Sequence, residues 1–264
     1  MIDGIEIVRH PRARVARLSV DPATGRVRLT VPKRMALAKA VAWAGEKGDW
    51  IAAQRAKLPR GRPFVAGAVV PVADRPVRLR WVDGASRTVR LVPAAGRAPA
   101  QARPQNQAEP ASAIETLDHH LRGDPAAEDE WALTCGGPIE QFPVRVERWL
   151  KREALRLLAE DTAHYAAKAG VTVAQVAVGD PKARWGSCSS TGTIRYSWRL
   201  LLAPSFVRRA TVAHEVAHRV HMHHGPAFHA LVAALFEGDP DAARQWLRAH
   251  GAALHWYGRT SSSG

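Results

Sequence analysis

The residues of this chain whose types and spacing indicate chemistry lie between 211 and 228. They include His214, Glu215 and His218 in the pattern His-Glu-x-x-His. On a helix, residues four apart lie one above the other on one face, so both imidazoles are placed to bind one ion. Glu215 points about 100° around the helix from His214, which suits it to act on a water molecule rather than to bind the metal. Two stacked histidines with an offset carboxylate are the arrangement of zinc hydrolases.

A catalytic zinc site needs a third protein ligand, because three protein ligands leave the fourth position to water. His224 follows His218 by six residues, which is the interval between the second and third histidines of the metzincin motif. A continued helix would carry the intervening histidines away along its axis. The chain must therefore reverse, and Gly225-Pro226 is the expected break. The alternatives to His224 are a distant carboxylate and three other histidines: His221, His223 and His229.

The alternative to a metal site is a helix whose histidines only pack or remain solvated. The chain has 12 histidines, which raises the risk of a chance His-Glu-x-x-His pattern. The context favours a site. Ser205, after Pro204, is a suitable N-cap, and small apolar residues recur on the side of the helix that is expected to be buried. We therefore predict a helix that begins at Ser205, carries the motif and ends at Gly225-Pro226.

Other elements must position this helix. The pattern from 184 to 200 predicts a β-hairpin with its turn at 189–192 and with Ile194, Tyr196, Trp198 and Leu200 on one face. Apolar residues at helical spacing predict a long helix from about 144 to 168, with Gly170 as its C-terminal cap. A strand is expected within 171–178. Two short helices are expected at 228–236 and 242–254.

The N-terminal third reads as a small, mostly antiparallel β-unit with a helix. Two strands within 5–31 flank a turn at Asp21–Gly25, and their alternating pattern predicts a hairpin. Residues 36–58 are expected to be helical and to split at Gly45 and Gly48. Strand character returns over 64–92, where Asp83-Gly84 is typical of a second hairpin turn.

Residues 95–141 differ in composition from the rest of the chain. They are rich in Pro, Ala and Gln and then acidic, which predicts a linker or insertion. The acidic run at 128–130 is interpreted as a solvated loop in preference to an autoinhibitory flap, and Trp131 and Leu133 as a short anchoring segment. The predicted division is a basic, β-rich region at 1–94, the linker at 95–141 and a metallopeptidase domain at 142–264.

Composition limits the class of protein. A hydrophobic content of 46% over 264 residues supports a sizeable core, and no apolar run is long enough for a membrane span. The N-terminus lacks a signal-peptide pattern and two cysteines make no disulfide framework, so we expect a cytoplasmic protein.

Residues 1–100 carry 20 Lys and Arg against 7 Asp and Glu. Such a basic region can contact nucleic acid, but no nucleic-acid-binding motif accompanies it, and a solvated Arg-rich surface is preferred.

A set of short motifs occurs outside residues 95–141: Val31-Pro32, Trp50-Ile51, Arg-Trp-Gly-Ser-Cys-Ser at 184–189, Trp198-Arg-Leu, Ala203-Pro204, His214-Glu-x-x-His218 and 224–228. In this combination they resemble the YgjP-like metal-dependent hydrolases, which are similar to the SprT-like and WLM (Wss1-type) metalloproteases. The resemblance implies an α+β fold, a minimal zincin (gluzincin-like) domain with an antiparallel hairpin and an active-site helix. It also implies Zn²⁺ held by His214, His218 and His224, with Glu215 as general base.

The expected function is hydrolysis of peptide bonds by a metal-activated water, with Glu215 taking the proton of that water. A nucleic-acid-associated protein, or a protease that acts on nucleic-acid-bound proteins, is the second hypothesis. A zinc-stabilised scaffold without catalysis is the third. Cys188 is interpreted as a small buried side chain rather than as a ligand or switch.

The hairpin supplies the candidate substrate-binding residues. Trp185, Gly186 and Ser187 precede or begin a strand that would pair along its edge with an extended peptide; the alternative is that Trp185 and Gly186 only shape a tight corner. The candidates for stabilising the transition state are four side chains that can donate hydrogen bonds: Arg195, Tyr196, Arg199 and Tyr257. The alternative for each of them is a structural role, which is the more common one.

Overall fold

The computed structural model describes residues 4–93 and 131–260. The chain divides into two compact units, Met1–Arg60 with Gly251–Trp256 and Gly61–His250 with Tyr257–Gly264. The mixed α+β class predicted from the sequence is confirmed. Residues 95–130 of the predicted 95–141 linker, including its acidic run, lie outside the described residues, and the three-part division stays a prediction. None of the described helices is both long and apolar enough to cross a membrane.

The first unit contains a three-stranded sheet in the order β1-β3-β2. Its strands are β1 (Ile5–His10), β2 (Arg17–Val20) and β3 (Val27–Pro32). The hairpin between β2 and β3 is confirmed, and Gly25 at its turn has a φ of +72° and donates its N–H to the Asp21 carbonyl at 2.7 Å. A single strand was predicted before that turn, and this prediction is wrong because the structure has two strands there, β1 and β2. Pro11 ends β1, because proline has no N–H for a ladder, and β1 pairs with β3 in parallel.

Two helices complete the first unit, α1 (Leu37–Gly45) and α2 (Gly48–Ala56), so the predicted split at two glycines is confirmed. The alternation of β3 buries Leu29 and Val31, which form a core with Ala40 and Ala44 of α1. The arginine and threonine side chains between these apolar residues lie on the opposite face, as a strand period of two requires.

The second unit begins with a four-stranded sheet in the order β4-β5-β7-β6. Its strands are β4 (Val69–Val72), β5 (Arg75–Trp81), β6 (Arg90–Pro93) and β7 (Trp131–Cys135). The hairpin predicted at Asp83-Gly84 is wrong, because β7 lies between β5 and β6, parallel to the first and antiparallel to the second. Ala132 and Leu133 are fully buried. The predicted anchoring segment is therefore a central strand, since strands buried on both faces carry consecutive apolar residues.

The long predicted helix is α3 (Phe142–Ala169), and Gly170 caps it in the left-handed conformation with a φ of 65°. A second sheet follows in the order β8-β10-β9, with strands β8 (Gln175–Gly179), β9 (Gly186–Cys188) and β10 (Thr193–Ser197). The β9–β10 hairpin with its turn at 189–192 is confirmed, and β9 is an edge strand.

The predicted strand to Leu200 is wrong beyond Ser197. A 3-10 turn spans Trp198–Leu202, and the Ser197 hydroxyl accepts a hydrogen bond from the Arg199 N–H at its start. This side-chain bond offers the backbone an alternative to the strand ladder. All five residues of the turn are buried, so the turn belongs to the core that supports the following helix.

Three helices close the chain, α4 (Ser205–Ala217), α5 (Pro226–Leu235) and α6 (Pro240–Leu254). The predicted N-cap role of Ser205 is wrong, because Pro204 occupies the N-cap position and Ser205 is the first helical residue. The Asp74 carboxylate accepts the Ser205 N–H at 2.7 Å, and an acid at this end also complements the helix dipole. Arg208 of α4 forms a 2.7 Å ion pair with Asp161 of α3, which ties the two helices together.

Candidate active site

Three histidines converge at the C-terminal end of α4. His214 and His218 lie one helical turn apart, and the loop after α4 brings His224 back to them. The ligating atoms of the three imidazoles all lie within 4.8 Å of one another, and Nε2 of His224 is 3.1 Å from Nε2 of His214. Among the described residues this is the group of histidine, cysteine and acidic side chains that is arranged to hold a metal ion.

A chain reversal, not a longer helix, delivers His224. The helix ends at Ala217, with His218 as its C-cap, so the predicted end at Gly225-Pro226 is wrong. The N–H of His221 then bonds the Ala217 carbonyl at 2.9 Å and tightens the turn. Pro226 instead begins α5, which agrees with the preference of proline for the first turn of a helix.

The turn also orients the second imidazole. Nδ1 of His218 lies 3.1 Å from the His221 carbonyl oxygen, and a carbonyl can only accept, so this nitrogen carries the proton. Nε2 of His218 is then the nitrogen with a free lone pair, as in histidine ligands held by a backbone carbonyl. His221 therefore acts through its backbone. The side chains of His221, His223 and His229 lie outside the cluster.

Phe228 forms a common support for the three imidazoles. Its ring is buried, and its centroid lies 4.9 Å from that of His214, 4.6 Å from that of His218 and 4.7 Å from that of His224. Packing of this kind restricts the rotamers of all three rings. Because α5 starts at Pro226, Phe228 is the third residue of this helix and follows closely after the loop that carries His224.

Burial sets the protonation of the cluster. Burial, assisted by the neighbouring His218 and His224, lowers the pKa of His214 to about 4. Burial also lowers the pKa of His218. Both rings are therefore neutral at pH 7. Only the neutral imidazole has a lone pair for a metal, so protons do not compete for these two positions.

Glu215 lies on the adjacent face of α4 and packs against the backbone of β9. It is 6% exposed. A Cβ built on Gly186 would lie 2.5 Å from Glu215 Oε1 and 2.6 Å from its Cγ, a separation that no side chain at position 186 could keep. Burial raises the pKa of Glu215 to about 7, and the positive charge of Arg184 opposes that increase. The carboxyl group is thus held at a fixed place with a pKa near neutrality.

His214, His224 and Glu215 line a cavity of about 520 Å³. The β9 side of the cavity is lined by Arg184, Trp185 and Gly186. The side formed by α5 and α6 includes the apolar residues Val232, Pro240, Ala243 and Leu247 and the polar residues His229 and Arg244. Of the predicted substrate-binding residues, Trp185 and Gly186 line the cavity. Ser187 pairs with Arg195 in the β9–β10 ladder. Cys188 pairs with Ile194 and lies outside the histidine cluster.

The four side chains predicted to stabilise a transition state do not line this cavity. Tyr196 is fully buried, and its hydroxyl lies 3.0 Å from the Thr162 hydroxyl. Arg195 is exposed on β10. Arg199 donates two hydrogen bonds to the Asp180 carboxylate, at 2.7 and 3.1 Å, and a third to the Tyr257 carbonyl at 3.0 Å. The Tyr257 hydroxyl accepts a hydrogen bond from Arg62 at 2.7 Å. The hydrogen bonds of Tyr196, Arg199 and Tyr257 stabilise the second unit.

Three residues of the site carried no interpretation from the sequence. Arg184 directly precedes Trp185-Gly186, which were predicted to bind substrate, and this position could have indicated that Arg184 also belongs to the site. Phe228 follows the third histidine, His224, by four residues, and this short interval could have predicted a contact between the two rings. Arg244 comes from α6, and no local pattern relates it to a strand some 60 residues earlier.

Comparison with known families agrees with this geometry. A family model described as the YgjP-like metallopeptidase domain matches residues 15–126 and 127–250, well over half of the chain. No curated protein matches the chain, and no solved structure does. The resemblance inferred from the short motifs is thereby confirmed for the YgjP-like family, while the similarity to SprT-like and Wss1-type proteases stays a prediction. The chain belongs to the YgjP-like metallopeptidase family.

Proposed function

We propose that this protein is a zinc-dependent peptidase in which His214, His218 and His224 hold the ion and Glu215 is the general base. One observation carries the proposal: three imidazoles are grouped to hold a metal ion, and two of them, His214 and His224, line the same cavity as a buried carboxyl group with a pKa near 7. A structural zinc site uses four protein ligands, whereas a catalytic site uses three. The described residues supply three.

The donor set fits zinc. Zinc bonds imidazole nitrogen at about 2.0–2.1 Å in tetrahedral geometry, which keeps neighbouring nitrogens about 3.3 Å apart. The spacing of 3.1 Å between His214 and His224, with all ligating atoms within 4.8 Å, brackets that value. When bound, zinc lowers the pKa of a water molecule to about 7 and polarises the scissile carbonyl group.

Glu215 supplies the proton transfers. A base is most effective when its pKa is close to the working pH, and burial gives Glu215 a pKa of about 7. The carboxylate takes a proton from the attacking water and then donates it to the departing amine nitrogen. Gly186 and the buried side of α4 fix where that exchange occurs.

The edge strand β9 gives an extended peptide a place to bind. β9 pairs with β10 along one side only, and backbone pairing along the other side would accept many sequences because it uses no side chains. Trp185 and Gly186 line the cavity at the start of this strand. In this proposal the β8-β10-β9 sheet, α3, α4 and α5 correspond to the minimal zincin arrangement that the family resemblance implies.

The proposal is tested by metal analysis together with cleavage of a peptide library by the full chain. We expect one zinc ion per chain and cleavage that is lost on chelation and restored by zinc. A chain that binds zinc at this stoichiometry and cleaves no member of the library would contradict the proposed peptidase activity.

The basic N-terminal residues raise the second hypothesis, but no feature of the described residues favours nucleic acid, so peptide hydrolysis is the one function proposed.

The third ligand has a matched control on the same segment. His224→Ala should reduce the zinc content to well below one ion per chain, because two histidines alone bind zinc weakly. His229→Ala should retain zinc, because His229 lies outside the cluster even though it lines the cavity. If His229→Ala lost more zinc than His224→Ala, His229 would be the third ligand instead of His224.

A further inference from the structure

We propose that Arg184 and Arg244 form a carboxylate-binding subsite, so that the substrates of this site are peptides with an acidic group beside the scissile bond. This inference rests on the proposed peptidase function and specifies its substrate class. The two guanidinium groups approach the cavity from different elements, one from the segment before β9 and one from α6. A group bound between them is held next to the histidines and Glu215.

Arg184 is available for a ligand. Its side chain is exposed and lines the cavity. None of the described residues forms a hydrogen bond or an ion pair with it. Arginine presents five N–H donors in a planar fork that matches a carboxylate, and it keeps its charge at any physiological pH. The charge of Arg184 acts on Glu215, but its guanidinium has no hydrogen-bonded or ion-paired partner among the described residues, so it is suited to bind an anion from the substrate.

Arg244 faces the same space with only a weak partner. Its ion pair is with Asp241, three residues earlier on the same exposed helix surface, and such pairs contribute little. Asp241 itself does not line the cavity. Apart from the histidines, the charged side chains lining the cavity are these two arginines and Glu215. Cations therefore outnumber the single acid, and a bound metal ion would add to the positive potential.

The apolar part of the wall explains why a peptide is the expected carrier of the acid. Val232, Ala243 and Leu247 line the cavity beside Arg244. They would contact the methylene groups of a glutamate side chain or the last side chain of a chain with a free C-terminus. The shared chemistry is a carboxylate on a short apolar stem, and the two sources are separated by the experiment.

The test uses the zinc-loaded full chain and matched quenched peptides with Glu, Gln or Lys on either side of the cleaved bond. A second set ends one or two residues beyond that bond as a free acid or an amide. We expect kcat/KM for the acidic member of a pair to exceed that for its neutral partner by on the order of tenfold, the usual strength of a hydrogen bond to a charge. Lysine should be the poorest. Preference in the first set identifies a side-chain carboxylate, and preference in the second a terminal one.

The variants are Arg184→Gln, Arg244→Gln and their combination. Each single change should reduce the acidic preference, and the combination should abolish it. Arg184→Glu should reverse the preference between Glu and Lys. Arg152→Gln, an exposed position on α3 that does not line the cavity, is the control and should keep the wild-type preference. Equal cleavage of acidic and neutral peptides, or a preference that survives the combined variant, overturns the subsite.

Binding separates this inference from the peptidase proposal. Affinity for the same labelled peptides is measured on the zinc-loaded Glu215→Gln variant, which needs no turnover. If no peptide is cleaved by the wild type but acidic peptides bind with the arginine-dependent preference, the peptidase function fails and the subsite stands. If peptides are cleaved without any acidic preference, the subsite alone fails. If neither cleavage nor preferential binding occurs, both fail.

Discussion

A methyl group added to Gly186 should disable the site without removing its metal ion. The Cβ of Gly186→Ala would lie 2.5 Å from Oε1, 2.6 Å from Cγ and 2.7 Å from Cδ of Glu215. Ordinary contact begins at 3.4 Å, so the carboxylate oxygen must retreat by about 0.9 Å. A misplacement of about 1 Å in a reacting group can cost about a hundredfold in rate. We therefore expect kcat to fall by roughly two orders of magnitude, about 2.7 kcal/mol in the activation barrier.

The assay is steady-state cleavage of one peptide by zinc-loaded protein, with zinc content measured on the same samples. The zinc content of Gly186→Ala should equal that of the wild type, because the three imidazoles are supported by Phe228 and by the turn after α4. Gly45→Ala is the matched control. Its added Cβ meets no atom within 4 Å, so activity should not change.

Stability gives a second measure of the same contact. Overpacking a well-packed site costs about 1–3 kcal/mol, so Gly186→Ala should lower the unfolding free energy of the wild type by that amount. In a Glu215→Ala background the clash is absent and most of the cost should disappear, a coupling that a double-mutant cycle measures. If Gly186→Ala retained full kcat, the claim that β9 fixes the Glu215 carboxylate would be refuted.

Two further predictions concern the surroundings of the site. Arg199→Met should destabilise the protein by about 2 kcal/mol in chemical denaturation, because it removes the charged hydrogen bonds of a 5% exposed guanidinium to Asp180 and to the Tyr257 carbonyl. Arg156→Met, whose ion pairs are exposed, should cost under about 1 kcal/mol, and similar losses would argue against a structural role for Arg199. In the native protein a thiol reagent should modify Cys188 and spare the buried Cys135, whereas denatured protein should react at both. Burial raises the pKa of Cys188, so its thiolate forms later as pH rises, and its reaction rate should still increase at a pH where an exposed cysteine has reached its maximum. A Cys188 rate that levels off earlier than that of free cysteine would contradict this.

The parts of the site that come from one short stretch of chain could be anticipated. His214 and His218 follow from helical spacing, and the return of His224 followed from the Gly225-Pro226 break, although the helix itself ends sooner. The hairpin of β9 and β10 followed from alternation around a turn. In each case the controlling interactions link residues fewer than about fifteen positions apart, so a local pattern contains them.

The errors arose where distant segments meet. β7 lies between β5 and β6, although more than 35 residues separate it from β6 in the sequence. The alternation of apolar residues within a strand does not predict which strand will be its neighbour. The cap of α4 comes from Asp74, which is 131 positions from Ser205. The lining of the cavity could not be predicted for the same reason, because the packing of α6 is what places Arg244 in the same cavity wall as Arg184. Pairing and packing across such separations depend on the whole fold.

The central claim is that Glu215 acts on the substrate while the three histidines hold the ion. The most direct measurement compares zinc content and single-turnover cleavage of one peptide by the wild type and by Glu215→Gln, a change that preserves size and removes the base. Removal of a general base costs about 10²- to 10⁴-fold. We predict one zinc ion per chain in both proteins and cleavage slowed by at least a hundredfold in the variant. Wild-type cleavage by a fully zinc-loaded Glu215→Gln protein would contradict it.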